Sequence, residues 1–373
     1  MLTKFEVTNF KNFENKLSFD FKSVKKYQFN EECVKDNIIT KALIYGKNAT
    51  GKSNLGYAIF DIIKHLTSKN VNDNFYFNYT NANSKQNYAS FSYEFKFKNG
   101  VVKYSYTKKD HTTLIEESLE INNELFAFIN REDSNILKIN AKGAENLNRK
   151  LSNKNISIIS YIKNNANLNK RYKNNKLFFE FIEFVDNMLF FRSVNDGNSY
   201  MGHTVGVAEI DQDIIEQDNI KEFEKFLNEL DINCKLDVIN VPVLKEKVLV
   251  FKFKNRSIPF FDIASSGTKS LALFYFWIKR VQKEKISFIF IDEFDAFYHY
   301  ELSRNIIKLL KKLDIQVVLT THNTALMTND LLRPDCYFII NNEKLKNLPS
   351  LTDKELREAH NLEKMYKANA FEI

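Results

Sequence analysis

The chain has 373 residues, of which 44% are hydrophobic, 14% aromatic and 27% charged, a composition ordinary for a soluble globular protein. Its formal net charge of +7 allows an acidic partner such as a nucleic acid but does not require one. The three cysteines are widely separated, which argues against a disulfide framework. The sequence has no N-terminal signal segment and no apolar run near the roughly 18 residues that span a bilayer, which argues against a membrane protein. We therefore expect a cytoplasmic location.

The N-terminal third of the chain predicts strands and one helix. Alternation over residues 2–9 is typical of a strand, and the apolar run over 38–45 is typical of a buried strand. A helix is predicted over 53–66, where apolar residues recur on one face. Residues 88–130 alternate with period two around Asn99-Gly100, which indicates hairpins of an antiparallel lobe.

The rest of the chain predicts a polar region and then alternating strands and helices. Residues 131–235 are Asn-rich and read as mostly helical. The later elements are strands at 246–255, 286–292, 315–321 and 336–340, helices at 268–282 and 301–313, and a final helix that begins with a capping box at Thr352–Glu355. Strands that alternate with helices at this spacing imply a parallel sheet flanked by helices.

These elements divide the chain into three parts. We predict a core formed by 1–130 and 236–345, which includes the antiparallel lobe at 75–130. A mainly helical insertion at 131–235 interrupts it, and a helical tail follows at 346–373. The expected fold class is α/β with a mostly parallel core sheet.

One segment has the pattern G-x-x-x-x-G-K-[ST] and lies between the apolar strand and the helix, which is the context that the pattern requires. It comprises Gly46, Lys47, Asn48, Ala49, Thr50, Gly51, Lys52 and Ser53, and Asn54 follows it. The two glycines let the loop curl so that its backbone N–H groups point at phosphate oxygens, and the helix adds its positive end. Lys52 is expected to reach the β- and γ-phosphates and Ser53 to bind Mg²⁺. A chance glycine-rich turn is the alternative, and this context makes it rare.

A carboxylate pair, Asp292 and Glu293, ends the buried strand predicted at 286–292. Asp292 is expected to hold Mg²⁺ through water, and Glu293 to polarise the attacking water. The alternative is a pair of exposed carboxylates at a strand end, which the phosphate loop disfavours because ATP hydrolysis needs such a pair. Lys52 and Asp292 lie 240 residues apart, so a large insertion separates the two halves of the site.

Two further polar elements accompany this pair. Ser265, Ser266 and Gly267 open an apolar helix, an arrangement that can bind an anion, although an ordinary Ser N-cap is the simpler interpretation. His322 follows the strand predicted at 315–321, and the carboxyl ends of parallel strands are where open α/β sheets bind ligands. It could hydrogen-bond a γ-phosphate, or it could be structural.

The ordered motifs GKNATGKS, SSGTKSL, FIFIDEFDAFYH and VVLTTHN resemble those of the ABC-class ATPase heads of the RecF, SMC and OLD-type group. More narrowly, the sequence is similar to the compact AAA family ATPases of bacterial abortive-infection and other anti-phage systems. Residues 5–13 resemble that group's first strand and turn, and the tail HNLEKMYKANAF resembles its C-terminal end. The likeness is close over 1–66 and 246–340 and loose between them. It implies a P-loop NTPase fold of the ABC-ATPase type that binds ATP and Mg²⁺, with a largely helical insertion.

The resemblance also implies a composite site made by two protomers. In this group, ATP bound at one protomer's phosphate loop is enclosed by the signature turn of a second protomer. By position, Ser265 and Gly267 would contact the γ-phosphate in trans, Asp295 would lie across the dimer seam, and His322 would be the switch histidine. Catalysis would then depend on Glu293, His322 and Lys52, in a homodimer or a larger even-numbered oligomer.

Three functions are compatible with these motifs. An ATPase switch in phage defence, which controls a separate effector such as a nuclease, is favoured by the narrower resemblance. A DNA-repair or DNA-binding head of the SMC/RecF type is favoured by the basic stretch 142–176, in which Tyr161 and Tyr172 are interleaved, although a solvated helical surface is the simpler interpretation of such a stretch. A membrane transporter's ATPase subunit fits poorly with the large insertion. The acidic stretch 209–231 could dock a basic partner or pair with the basic stretch across a dimer.

Overall fold

The structure is a computed structural model, and it describes residues 1–67, 69, 73–132, 136–148, 151, 153–192, 199–202, 206–207, 210–241, 246–283, 285–341 and 343–371. The strands are β1 (Leu2–Thr8), β2 (Leu17–Asp20), β3 (Val34–Lys35), β4 (Ile38–Ile39), β5 (Lys41–Tyr45), β6 (Ala89–Phe97), β7 (Gly100–Lys108), β8 (Leu114–Ile121), β9 (Glu124–Asn130), β10 (Ile136–Ile139), β11 (Met188–Arg192), β12 (Ser199–Gly202), β13 (Gly206–Val207), β14 (Leu236–Val241), β15 (Glu246–Lys252), β16 (Ser257–Pro259), β17 (Phe288–Asp292), β18 (Gln316–Thr321), β19 (Tyr337–Asn341) and β20 (Lys344–Asn347). The α-helices are α1 (Lys52–Leu66), α2 (Ile158–Asn165), α3 (Lys173–Asp186), α4 (Ile210–Glu216), α5 (Ile220–Glu229), α6 (Phe260–Ile263), α7 (Ser266–Lys283), α8 (Tyr300–Lys311) and α9 (Leu362–Lys367). Within the described ranges, no helix has both the length and the apolar character needed to cross a membrane.

An 8-stranded, mostly parallel sheet forms the centre of the fold. Its order is β13–β12–β11–β17–β18–β5–β19–β20, and every pairing from β11 to β19 is parallel. The strands β5, β17 and β18 are buried along their whole length, which explains the apolar residues at the centre of each sequence. Their carboxyl ends meet at one edge of the sheet, where α/β proteins of this kind bind ligands.

A 7-stranded antiparallel sheet of order β10–β9–β8–β7–β6–β1–β2 lies beside the central sheet. Burial alternates along β6 and β7, so one face packs on the core and the other meets solvent. Phe97 pairs with Gly100, which sets the hairpin loop at residues 98–99, one residue earlier than predicted. Antiparallel strands thus cover residues 89–130 of the stretch predicted as a lobe, and β1, β2 and β10 enlarge their sheet.

The region predicted as a mainly helical insertion, 131–235, is only partly separate from the core. It holds α2–α5, but β11 pairs in parallel with β17 and belongs to the central sheet. The reason is its apolar run, whose first four residues are buried as in the other central strands. The strand predicted at 246–255 forms as β15, but it lies in a separate 3-stranded antiparallel sheet with β14 and β16.

The predicted capping box at the start of the tail is wrong. Thr352 Oγ1 accepts a hydrogen bond from the amide of Lys354 in a short turn, and Glu355 pairs with Arg357 at 2.8 Å instead of reaching back to Thr352. The tail helix α9 begins later, where the Asn361 side chain accepts from the Lys364 amide at 2.8 Å. A turn bond and a local ion pair thus replace the reciprocal bonds that the box requires.

A buried polar cluster ties α1 to the antiparallel sheet. Asp61 on α1 accepts hydrogen bonds from Lys108 Nζ at 2.7 Å, Tyr79 Oη at 3.0 Å and Tyr106 Oη at 2.9 Å. The side chains of Asp61 and Lys108 are both fully buried. Burial lowers the pKa of Lys108, and the charge of Asp61 opposes that shift. Because α1 starts at the phosphate loop, this pair connects the loop's helix to the sheet.

Replacing Asp61 with Ala should lower the free energy of unfolding by about 3–5 kcal/mol, because it leaves the Lys108 ammonium buried without its counter-charge. The double variant Asp61→Ala/Lys108→Met should lose less than the sum of the two single losses, since it removes both charges together. Urea unfolding of the purified variants measures both effects. Glu355→Ala, which breaks a solvent-exposed pair, serves as the control and should leave stability nearly unchanged. Equal losses for the Asp61 and Glu355 variants would contradict the assigned role of the buried pair.

Candidate functional site

The phosphate-loop motif forms a tight turn between β5 and α1. Gly51 has φ 98° and Ala49 has φ 63°, so both lie in the left-handed region that residues with a Cβ rarely adopt. A Cβ on Gly51 would lie 2.4 Å from Nδ2 of the Asn12 side chain, and a Cβ on Gly46 would lie 2.5 Å from Ile340 Cγ2. Close packing therefore explains both glycines of the motif.

The ammonium of Lys52 lies inside the curl of this turn. Its Nζ donates hydrogen bonds to the carbonyl oxygens of Gly46 at 2.6 Å and Lys47 at 3.0 Å, and it lies 3.0 Å from His322 Nδ1. Three acceptors match the three N–H bonds of the ammonium. Burial lowers the pKa of Lys52, and the nearby carboxylates Glu293 and Asp292 oppose that shift.

The carboxylate pair lies at the end of β17, next to β18. Thr320 of β18 joins the two residues, because its hydroxyl donates to Asp292 Oδ1 at 2.8 Å and accepts from the Glu293 amide at 2.8 Å. Glu293 has φ 48°, in the left-handed region, so the backbone turns sharply between the two carboxylates. The turn directs Asp292 into the protein, where it is fully buried, and leaves Glu293 partly exposed.

One oxygen of Asp292 is suited to a cation. Asp292 Oδ2 is buried and has no hydrogen-bond partner, a costly arrangement for a carboxylate oxygen. Burial raises the pKa of Asp292, although the hydroxyls of Ser53 and Thr320 and the charge of Arg192 oppose the shift. Within the described ranges, no group of three or more His, Cys, Asp or Glu side chains could hold a metal ion. One carboxylate beside a hydroxyl nevertheless fits Mg²⁺, which usually completes its shell with water and nucleotide phosphates.

His322 lies between Lys52 and Glu293. Its Nδ1 is 3.0 Å from Lys52 Nζ and 3.1 Å from the Gly46 carbonyl oxygen, and its Nε2 is 3.3 Å from Glu293 Oε1. Lys52 already donates to that carbonyl, so we assign the histidine proton to Nε2, where it points at Glu293. Burial disfavours ionisation of Glu293, but the His322 hydrogen bond and the Arg192 charge outweigh it and lower the pKa of Glu293.

These residues share one cleft of about 660 Å³ at the carboxyl edge of the central sheet. Its lining comprises Asn48, Ala49, Gly51, Lys52, Ser53, Asn54, Glu293, Asp295, Ala296 and His322. Asp295 is held there by Thr321, whose hydroxyl donates to Asp295 Oδ2 at 2.7 Å. The fold thus brings together motifs that are 240 residues apart in the chain.

The turn at Ser265, Ser266 and Gly267 lies outside the lining of this cleft. The Ser265 hydroxyl accepts from the Thr268 amide at 3.1 Å, so it caps α7 as an ordinary N-cap residue does. Gly267 packs closely on the turn after the carboxylate pair, since a Cβ there would lie 2.9 Å from the Phe297 carbonyl oxygen. Ser265 and Ser266 are exposed. Within one protomer this turn therefore does not contact the space beside Lys52.

Two residues that sequence reasoning missed contact the site. Asn12 accepts a hydrogen bond from the Asn54 side chain at 2.7 Å and packs on Gly51, so the first turn of the chain braces the phosphate loop. Arg192 ends β11 with its Nε 3.2 Å from Asp292 Oδ2 and a terminal nitrogen 3.3 Å from Glu293 Oε2. The signal for Arg192 was an apolar run ended by a charge, Met188–Arg192, which matches the pattern of Phe288–Asp292.

The chain is similar to solved structures and to one protein-family model. The solved structure of an SMC head bound to the C-terminal winged-helix domain of ScpA is 15% identical, with a TM-score of 0.44 over 93% of this chain and 96% of that one. The SMC head domain of Thermotoga maritima is 13% identical, with a TM-score of 0.44 over 93% of this chain and 97% of that one. A search of curated proteins finds no match. A family model described as "AAA domain, putative AbiEii toxin, Type IV TA system" matches residues 41–328, which include the phosphate loop, the carboxylate pair and His322. The chain therefore belongs to this family of AAA ATPase domains.

Proposed function

We propose that the chain is an ABC-type ATPase that binds ATP with Mg²⁺ in the cleft beside Lys52 and hydrolyses it to ADP and phosphate. One observation carries the proposal: the phosphate loop, Glu293 and His322 follow three neighbouring strands, β5, β17 and β18, and line a single cleft. The cleft volume of about 660 Å³ is in the range of small-molecule sites. Membership in an AAA domain family supports the same conclusion.

The side chains have separable roles in this proposal. Lys52 exchanges its carbonyl acceptors for β- and γ-phosphate oxygens, and the backbone N–H groups of 46–51 and the start of α1 bind the remaining charge. Glu293 accepts a proton from the water that attacks the γ-phosphorus, while the bond from that phosphorus to the β-phosphate oxygen breaks. His322 holds Glu293 and the γ-phosphate in place. Mg²⁺ would be held by Ser53 and, through water, by Asp292, and would neutralise charge on the phosphates.

The second half of the site would come from another copy of the chain. Ser265 to Gly267 lie outside the cleft of their own protomer, with Ser265 and Ser266 exposed. This arrangement supports a trans contact of that turn with the γ-phosphate and a place for Asp295 at the seam between two protomers. ATP would therefore drive formation of a homodimer or a larger even-numbered oligomer.

The biological role that we propose is a switch in anti-phage defence, in which ATP-driven closure controls a separate effector. The description of the family as a putative toxin of Type IV toxin–antitoxin systems supports it. A nuclease is the first class of effector to test.

ATP binding and hydrolysis test the proposal directly. Purified protein should hydrolyse ATP only with Mg²⁺, and Lys52→Ala should weaken ATP binding about tenfold or more, because hydrogen bonds to charged groups contribute about 1.5–3 kcal/mol. Titration with a fluorescent ATP analogue measures the binding. Lys308→Ala removes an exposed lysine of α8 and should behave like the wild type. A wild-type protein without any affinity for ATP would overturn the proposed function.

A second candidate, nucleic-acid binding, is favoured by a separate cavity whose lining includes two lysines and one glutamate, Glu124. This cavity of about 550 Å³ is lined in part by Lys142, Tyr172 and Lys173. Tyr172 is 46% exposed, and Lys142 Nζ lies 4.6 Å from the centre of its ring. An exposed base could stack on the Tyr172 ring, and the phosphates beside it could pair with the two lysines. Of the other cations in the basic stretch 142–176, Lys170 and Arg171 are exposed just before Tyr172 in the chain, and Arg149 and Lys150 lie outside the described residues.

If this cavity binds nucleic acid, the double variant Lys170→Ala/Arg171→Ala should weaken binding of a labelled DNA duplex and lower its salt dependence. The slope of log K against log salt should fall by about 2, since each lost phosphate contact removes about 0.9. Fluorescence anisotropy over a salt series measures it. Lys221→Ala/Lys225→Ala removes two exposed lysines of the acidic stretch and serves as the control. A flat salt response of the wild type would remove this candidate.

A further inference from the structure

Arg192 contacts both carboxylates of the site because of its place in the central sheet. The parallel register of β11 and β17 sets Arg192 opposite Asp292. Its Nε lies 3.2 Å from Asp292 Oδ2, and its terminal nitrogen donates to Glu293 Oε2 at 3.3 Å. The Arg192 side chain is 34% exposed while that of Asp292 is fully buried, so the guanidinium is the member of the pair that can move into solvent.

The pair of Arg192 and Asp292 is electrostatic and lacks hydrogen-bond geometry. Arg192 Nε and Asp292 Oδ2 approach within 3.2 Å, yet both atoms are buried without a hydrogen-bond partner. An arginine fork normally satisfies a carboxylate with two well-aligned bonds. Here the guanidinium supplies charge to Oδ2 without an aligned hydrogen bond. This oxygen therefore remains available to a better partner.

We propose that Arg192 is a positioning residue that takes the place of the hydrated Mg²⁺ while the cleft holds no nucleotide, and that it must leave Asp292 when the metal is bound. The inference rests on the proposed function, which assigns Asp292 to the metal. Arg192 Nε occupies the hydrogen-bonding distance from Oδ2 at which a metal-bound water would lie. Two cationic groups at one oxygen repel each other, so Arg192 and a hydrated divalent cation compete for Asp292.

The exchange has a consequence for Glu293. In the structure Glu293 is held from both sides, by Arg192 at Oε2 and by His322 at Oε1. Withdrawal of Arg192 frees Oε2 and leaves the His322 contact in place. We therefore expect Arg192 to balance the charge of the two carboxylates while no nucleotide is bound, and to release Glu293 when nucleotide and metal bind.

Binding of Mn²⁺, a spin-active substitute for Mg²⁺, tests the exchange without measuring catalysis. Electron paramagnetic resonance of free Mn²⁺, recorded at saturating ADP, gives the half-saturation concentration for wild type, Arg192→Gln and Arg192→Lys. We expect Arg192→Gln to lower it about tenfold, because Asp292 no longer has a competing cation. Arg192→Lys retains the charge and should stay near the wild-type value. Thermal unfolding without nucleotide should show Arg192→Gln destabilised, and Mn²⁺ with ADP should restore more stability to it than to the wild type.

The control is Arg280→Gln, which removes a half-buried arginine paired with Asp213 at 2.8 Å on another part of the fold. It should lower thermal stability without any change in Mn²⁺ half-saturation. The same result for Arg192→Gln, or a raised half-saturation, would overturn the exchange and leave Arg192 a purely structural partner. Failure of the wild type to bind Mn²⁺ with ADP at all would instead count against the proposed nucleotide site.

Discussion

Glu293→Gln should lower the rate of ATP hydrolysis by about 10²- to 10⁴-fold, because an amide cannot accept the proton of the attacking water. The substitution keeps the length of the side chain, so the phosphate loop and Lys52 remain as they are. ATP binding should therefore be retained while turnover is lost. Phosphate release at saturating ATP and Mg²⁺ measures the rate, and the ATP titration measures the binding. The control Glu358→Gln alters an exposed glutamate outside the cleft and should leave both unchanged.

The same variant also reports on assembly. With hydrolysis blocked, the closed state should accumulate, so light scattering should detect a dimer or a larger even-numbered species only with ATP and Mg²⁺. An assembly already complete without nucleotide would indicate a constitutive scaffold in which ATP acts on the internal state. A variant that binds ATP tightly but stays monomeric would contradict the two-protomer site and leave Ser265 as a helix cap alone.

The local parts of the site could be predicted from sequence because each motif consists of a few consecutive residues. The phosphate loop needs glycines at fixed positions, and the structure shows why: a side chain at Gly46 or Gly51 would collide with its neighbours. The strand that ends at Asp292 was visible as an apolar run followed by carboxylates. The convergence of these pieces also followed from sequence, since strands that alternate with helices form a parallel sheet with one common carboxyl edge.

What could not be predicted depends on pairing between distant segments. Nothing in the run Met188–Arg192 shows that β17 is its neighbour, because an apolar run fits a buried helix as well as a buried strand. The role of Arg192 follows only from that register. The tail helix was predicted too early: Thr352 and Glu355 match a capping box, but in the structure Glu355 pairs with Arg357 and α9 begins only after Asn361. A sequence pattern shows which secondary structures a segment can form, and contacts with distant segments decide which of them it adopts.

Mixing two inactive variants gives the sharpest test of the trans contact. Lys52→Ala disables the phosphate loop, and Ser266→Arg adds a bulky charge to an exposed position of the signature turn. Each variant alone should lose ATP hydrolysis, because every site in its homodimer carries the lesion. In a mixed dimer one site carries both lesions and the other carries none, so an equal mixture should recover up to about a quarter of the wild-type rate. Phosphate release from the pre-incubated mixture measures the recovery.

This recovery cannot arise from a site contained in one protomer, because both partners would then remain defective at every site. Asn99→Arg adds the same charge to the exposed loop between β6 and β7, far along the chain from the turn, and should keep wild-type activity when tested alone. Ser266→Arg should also bind ATP as a monomer, since the turn lies outside its own cleft. A mixture that stays inactive, although light scattering shows mixed dimers, would place the whole active site within one chain. In that case Gly267 and its close contact with Phe297 would serve the packing of α7 alone.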